Sequence, residues 1–214
     1  MTVLRRSLLV LALLSASAAG AAGERAGEFD YYVLALSWSP NWCARDGDAR
    51  DSDQCEVGLG HGWTLHGLWP QLARGYPSYC QTASAPPSRA MTARMADIMG
   101  SAGLAWHQWK KHGSCTGLSA ADYFALSREA SERVTRPTVF RSLDRAVRLP
   151  AAVVEEAFLK ANPDLVADGL TVTCRDGYIQ EVRVCLSREL EPQVCGPDVI
   201  RDCTATDALF TPIR

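Results

Sequence analysis

Most of the short motifs that would assign a chemistry at sight are missing from this sequence. Its eight cysteines include no Cys-x-x-Cys, which argues against a thioredoxin-type redox pair or a zinc ribbon. No Gly-x-Ser-x-Gly occurs, so the strand-to-helix elbow that carries a hydrolase serine is absent. Histidine is scarce, with four in 214 residues. No basic excess exists either, since 22 Lys and Arg stand against 24 Asp and Glu for a net charge of −2. A protein that grips nucleic acid by bulk charge would be basic, so any such contact must rest on a local patch. Beyond the N-terminal stretch no apolar run approaches the roughly 20 residues that span a bilayer. No internal repeat, low-complexity tract or linker interrupts the chain, whose length suits one well-packed domain.

The N-terminus has a recognisable plan. Arg5 and Arg6 precede an apolar run over residues 7–14, and small residues follow to Gly23. This reads as a secretory signal peptide over residues 1–23, cut somewhere in 18–23, with the mature domain over 24–214. Arg5-Arg6 would also suit a twin-arginine signal, but nothing downstream calls for prefolded export. The expected protein is secreted or periplasmic and free of the membrane after processing. Loss of the two leader arginines moves the net charge to about −4 and makes Lys110-Lys111 the obvious cationic patch. All eight cysteines lie beyond the leader, and an even count in an exported chain argues for disulfides. Spacing alone pairs only Cys43 with Cys55, at the ends of one Gly-, Asp- and Arg-rich loop; eight cysteines allow on the order of a hundred pairings.

Residues 29–38 are aromatic and β-branched without helical spacing and end at Pro40, which predicts a buried, central strand. The acidic run from Asp46 to Asp53 lacks the ligand spacing and bidentate glutamate of a calcium loop and predicts a solvated turn. In Trp63-Thr64-Leu65-His66-Gly67-Leu68-Trp69-Pro70, apolar residues alternate with polar ones, which predicts a strand ending at His66 and a Gly-Leu-Trp-Pro turn. Residues 88–99 have helical composition, with Gly100 and Gly103 as stops. Ser119 can cap a helix over 120–134, and Pro150 suits the start of one over 151–161, ended by Asn162-Pro163. Residues 169–174 and 178–187 predict a hairpin across Arg175-Asp176-Gly177, with Val182, Val184 and Leu186 inward and Glu181 and Arg183 on a wet face. The tail from Cys195 reads as coil. The expected fold class is α+β, a single domain with a central antiparallel sheet flanked by helices and stabilised by disulfides.

The densest chemistry lies in His107-Gln108-Trp109-Lys110-Lys111-His112-Gly113-Ser114-Cys115. On a helix stepping about 100° per residue, His107, Lys111, Gln108 and His112 fall within an arc of roughly 140°, while Trp109 and the preceding Trp106 point the other way and can face a core. Gly113 suits the left-handed residue after a helix. Lys-Lys by itself is usually a solvated face. The second segment, around His66, changes that assessment.

The two segments together, Trp63 to Pro70 and His107 to Cys115, strongly resemble the paired active-site segments of the ribonuclease T2 family. The resemblance extends to Phe29 through Pro40, to Gly75-Tyr76-Pro77-Ser78-Tyr79-Cys80 and to the four late cysteines, and so covers nearly the whole mature chain. It implies bridges Cys80–Cys115, Cys174–Cys203 and Cys185–Cys195 besides Cys43–Cys55. It also implies an endoribonuclease that cuts single-stranded RNA through the ribose 2′-hydroxyl, giving a 2′,3′-cyclic and then a 3′-phosphate, with low base specificity. His112 would be the general base, His66 the general acid, Lys111 the stabiliser of developing negative charge and His107 a phosphate holder. Trp69 and Tyr76 would stack a base and Gln71 would lie in its pocket. No cofactor or metal is implied, DNA lacks the nucleophile, and a monomer is expected.

Three departures stand out. Gln108 replaces the usual glutamate and Lys110 stands where an acid is common, while Gln71 replaces an Asp or Asn. Gln108 can bond a phosphate oxygen or orient His112, but it carries no charge, which predicts a shifted pH profile. Two other functions compete. A catalytically silent relative would bind RNA or a protein without cutting. A zinc hydrolase would join His61, His66, His107 and His112, but a five-residue spacing puts the last two about 140° apart on a helix, poor for joint ligation.

Overall fold

The computed structural model describes residues 25–214, so the expected signal peptide and its cleavage site lie outside the described residues. Six strands form one sheet: β1 (Tyr31–Trp38), β2 (Trp63–Gln71), β3 (Val147–Leu149), β4 (Leu170–Arg175), β5 (Tyr178–Leu186) and β6 (Ala208–Phe210). The order runs β2-β1-β5-β6-β3, and β4 also pairs with β5. Pairing is antiparallel except for one parallel contact, Tyr178 with Leu209, between β5 and β6. The opening strand is interior, as its apolar run requires. The hairpin β4–β5 turns through Asp176 (φ 52°) and Gly177 (φ 80°), the two positive φ values that a two-residue turn of matching twist needs.

Alternation assigns the two faces. Tyr32, Leu34, Leu36 and Trp38 of β1 join Val182, Val184 and Leu186 of β5 in the main core. Helices α1 (Ser39–Trp42), α2 (Arg89–Ala93), α3 (Ala96–Met99), α4 (Ala102–Lys111), α5 (Ala120–Arg133) and α6 (Ala151–Ala161) complete the domain. Met99, Trp109, Tyr123 and Phe158 carry α3 to α6 onto that core. Ser119 caps α5 by accepting from the Asp122 N–H at 3.2 Å. Tyr31, Val33, Cys185, Cys195 and Val199 form a smaller cluster on the opposite face, with Trp69 against it. That second face carries the site.

Several local expectations are corrected. The strand through His66 does not stop there: β2 continues through Pro70, whose missing N–H is tolerated because β2 is an edge strand paired only with β1. The segment 88–99 breaks into α2 and α3, and Gly103 lies inside α4 rather than stopping a helix. Residues 43–55 form short helical turns, not an open loop. The tail contains β6, captured by buried Asn41, which donates to the Ile179 and Leu209 carbonyls at 2.7 and 2.9 Å and accepts from the Thr211 N–H at 2.8 Å. Four bridges, Cys43–Cys55, Cys80–Cys115, Cys174–Cys203 and Cys185–Cys195, leave no free cysteine among the described residues.

Candidate active site

His66 owes its position to a bulge. Leu36 pairs with Leu65 and Ala35 with Gly67, so His66 is an extra residue with no partner on β1. The bulge also resets the alternation, which is why Trp63, Leu65 and Leu68 all reach the core while the His66 ring turns to the other face. There its Nδ1 makes a short contact with Glu181 Oε1 on β5. Glu181 is 1% exposed. Burial pushes its carboxyl up, but the His66 ring and the Arg183 guanidinium together outweigh that and hold it at about 2. The ionised carboxylate can only accept, so Nδ1 donates and Nε2 is left for a substrate. Arg183 supplies bonds to Glu181 Oε2 at 3.0 and 2.9 Å, and its guanidinium lies 5.3 Å from the Trp69 ring.

The second segment arrives on α4. Ser101 caps the helix through the Leu104 N–H at 3.1 Å, and buried Trp109 anchors it against Tyr123. Trp106 does not face the core as expected but is 44% exposed. The helix ends at Lys111, with His112 as its C-cap. Gly113 is not left-handed: a Cβ there would meet Trp109 Cε3 at 2.6 Å and Tyr123 Cδ1 at 2.8 Å, so crowding and not φ demands the glycine. The Lys111 carbonyl at the helix end accepts from the Tyr79 N–H at 2.9 Å, and the Cys80–Cys115 bridge secures the same junction.

The two imidazoles meet at one indole. Trp69 stacks on the His112 ring at 5.2 Å and 25°, and its edge meets the His66 ring at 5.2 Å and 82°. The Trp69 N–H donates to Gln108 Oε1 at 2.7 Å across Gly67, where any Cβ would overlap both groups. His112 is 4% exposed with its Nδ1 unpartnered. Burial first, then the charges of Lys111, His66 and His107, push it down to about 3. Burial first, then the charges of Lys111, His66 and Lys110, lower His107 as well. His66, Trp69, Gln71, Tyr76, His107, Gln108, Lys111 and His112 thus all line one cavity of about 390 Å³. Gln71 is buried and donates to the Pro70 carbonyl at 3.1 Å, while Tyr76 is half exposed. His66, Gln180 and Glu181 also border a neighbouring cavity of about 600 Å³, so His66 stands on the wall between two spaces. His61 lies apart, in a small cleft with Leu59 and Arg214. Among the described residues no three His, Cys, Asp or Glu side chains are grouped to hold a metal.

Sequence reasoning missed Glu181 and Arg183. Their alternation along β5 was legible and put both opposite the core, but in place of the wet face expected there Glu181 is buried and paired with a partly exposed Arg183 beside Trp69. The pairing that sets β5 two strands from β2 is not written in either strand alone. The signal available was a Glu-x-Arg pair on one face of an interior, otherwise apolar strand.

The model of the ribonuclease T2 family matches residues 29–195. A ribonuclease of Aeromonas hydrophila is 37% identical over 215 residues, covering 96% of each chain. Among solved structures, the RNase-related protein from Calystegia sepium superposes with a TM-score of 0.65 at 18% identity, over 87% of this chain and 98% of its own. RNase NT in complex with 5′-AMP does so with 0.63 at 16%, over 87% and 100%. A family match over most of the chain, together with a close relative of nearly equal length, establishes that this chain belongs to the ribonuclease T2 family.

Proposed function

We propose that this protein is an exported endoribonuclease that cuts single-stranded RNA by transesterification, acting as a monomer with low base specificity. The observation that carries the reading is that both His66 and His112 contact Trp69, the first edge-wise and the second stacked, each with ring centroids 5.2 Å apart, at a cavity that Lys111 also lines. His112, held neutral by burial and by like charges, is ready to take the 2′-hydroxyl proton. A phosphate seated beside Lys111 offsets those repulsions and raises the proton affinity of His112 as the reaction needs. His66, oriented through Nδ1 by Glu181, presents Nε2 to protonate the departing 5′-oxygen. Lys111 faces the charge that builds on phosphorus, and His107 and Gln108 hold the phosphate. The products are a 2′,3′-cyclic phosphate and a free 5′-hydroxyl, and water then opens the ring to a 3′-phosphate. DNA has no 2′-hydroxyl and is not cut by this route.

Trp69, Tyr76 and Gln71 receive the base of the nucleotide that supplies the 2′-hydroxyl, since they surround His112. The space beyond His66 is left for the departing nucleotide. Stacking on aromatic rings is tolerant of base identity. Four disulfides support export to an oxidising compartment. Digestion of polymeric RNA in EDTA, with analysis of the ends, tests the proposal. Wild type is expected to leave cyclic phosphates, and His66→Ala and His112→Ala to lose about 10²-fold or more of the rate. Undiminished cleavage by either variant would overturn the assignment, and binding without cleavage by wild type would favour a silent relative.

A further inference from the structure

Among the described residues three aromatic side chains are largely exposed, Trp106 at 44% on the cationic helix and Tyr76 at 51% and Tyr79 at 52% on the loop beside it. Two of them repeat one arrangement. Lys111 Nζ lies 5.6 Å from the Tyr76 ring, and Lys110 Nζ lies 5.9 Å from the Tyr79 ring. Consecutive lysines on α4 are thus matched with tyrosines three residues apart on the loop beside it. The first pair lines the catalytic cavity; the second lies outside it. Tyr79 has φ 52°, a left-handed conformation that costs a bulky residue about 1 kcal/mol or more. Its backbone is held there by the Tyr79 N–H bond to the Lys111 carbonyl and by the neighbouring Cys80–Cys115 bridge. Glycine or asparagine would make the same turn at less cost, and the half-exposed ring contributes little to the core, so packing does not account for a tyrosine here.

We propose that Tyr79 and Lys110 form a further nucleotide subsite, which stacks the base and neutralises the phosphate of the RNA residue on the 5′ side of the cleaved nucleotide. The inference rests on the ribonuclease reading. The direction follows from the site: Tyr76 borders His112, the group placed to take the 2′-hydroxyl proton, so the nucleotide at Tyr76 supplies that hydroxyl. Its 3′ side leads to the scissile phosphate and His66, which leaves the 5′ side for the next aromatic. An ammonium over one ring face leaves the other face for a base, the combination that single-stranded nucleic acid sites use.

The test compares kcat/KM on a dinucleotide with kcat/KM on trinucleotides extended by one residue at the 5′ or the 3′ end. Wild type should gain about 5- to 100-fold from the 5′ extension, the range of one stacked base. The ratio of the 5′-extended trinucleotide to the dinucleotide should fall towards one in Tyr79→Ala and decrease in Lys110→Ala. It should survive in Tyr79→Phe, which keeps the ring. Tyr79→Asn, which suits the left-handed backbone, should lose the gain while keeping the fold. A gain unchanged in Tyr79→Ala and Tyr79→Asn, or one confined to the 3′ extension, would overturn the subsite while the ribonuclease reading stands. Failure of wild type to cut any of the three substrates would overturn both.

Discussion

Replacing Gln108 by glutamate asks what sets the proton affinity of the base. Gln108 lies one helical turn before His112, is 1% exposed and lines the same cavity. Its Oε1 accepts from Trp69 at 2.7 Å, a bond that a carboxylate can keep. In wild type, burial and the neighbouring cations hold His112 at about 3, and the carboxylates that line the cavity, Glu181 and Asp198, do not offset them. A negative charge within roughly 4–6 Å moves a pKa by about 1–3 units, here upward, at ~1.4 kcal/mol per unit. Because kcat/KM follows the neutral base of the free enzyme, the wild-type acid limb should fall near pH 3. In Gln108→Glu it should move to higher pH by about one unit or more. The assay is kcat/KM on one dinucleotide from pH 3 to 8, with circular dichroism at each pH to separate titration from unfolding. Coincident acid limbs in folded wild type and variant would refute the idea that the uncharged Gln108 keeps His112 acidic.

Glu181→Gln removes the acceptor-only group that fixes the His66 tautomer and leaves Arg183 without its counter-charge; kcat should drop about 10²-fold or more with KM little changed, and a change in KM alone would contradict the positioning role. His112 and Glu181 both have depressed folded-state values, from 6.5 to about 3 and from 4.5 to about 2, so the unfolded chain binds the extra protons at low pH. Stability should therefore be complete above pH 6.5, erode by up to ~1.4 kcal/mol per pH unit as His112 enters, and fall more steeply below pH 4.5 as Glu181 joins; urea midpoints that are flat from pH 6.5 to 3 would refute this. Gly67→Ala sets a methyl against Gln108 Oε1 and Trp69 Nε1, and should lower stability by about 1–3 kcal/mol and reduce activity together. Replacing Cys80 and Cys115 by serine should cost on the order of 2–4 kcal/mol of stability. It should also depress kcat/KM at temperatures where the fold persists, because the loop bearing Tyr76 loses its covalent tie to the end of α4 and keeps the Tyr79 N–H bond to the Lys111 carbonyl.

Much of the architecture could be read along the chain. The run from Tyr31 to Trp38 has too many β-branched and aromatic residues for anything but a buried strand. Ser119 and Pro150 mark the starts of α5 and α6, and Asp176-Gly177 marks the hairpin. Each is a local signal, carried by residues adjacent in sequence. The expectations that failed depended on distant partners. Trp106 and Trp109 are equally apolar, yet Tyr123 covers only the second. β6 is too short to declare itself and exists because Asn41, more than 160 residues away, bonds its backbone.

By itself the sequence determined the stock of reactive groups: three imidazoles and two lysines in two segments, an uncharged Gln108, and cysteines enough to tie a domain together. The tertiary structure decided which of them meet. It turned His66 outward at a bulge that needs β1 as its partner, set buried Glu181 and its partner Arg183 behind that ring, and stacked His112 on the Trp69 that His66 also meets. The reason is physical. Side-chain identity and local conformation travel with the chain, but desolvation, register and the distance between charges exist only once strands from opposite ends of the polypeptide lie side by side.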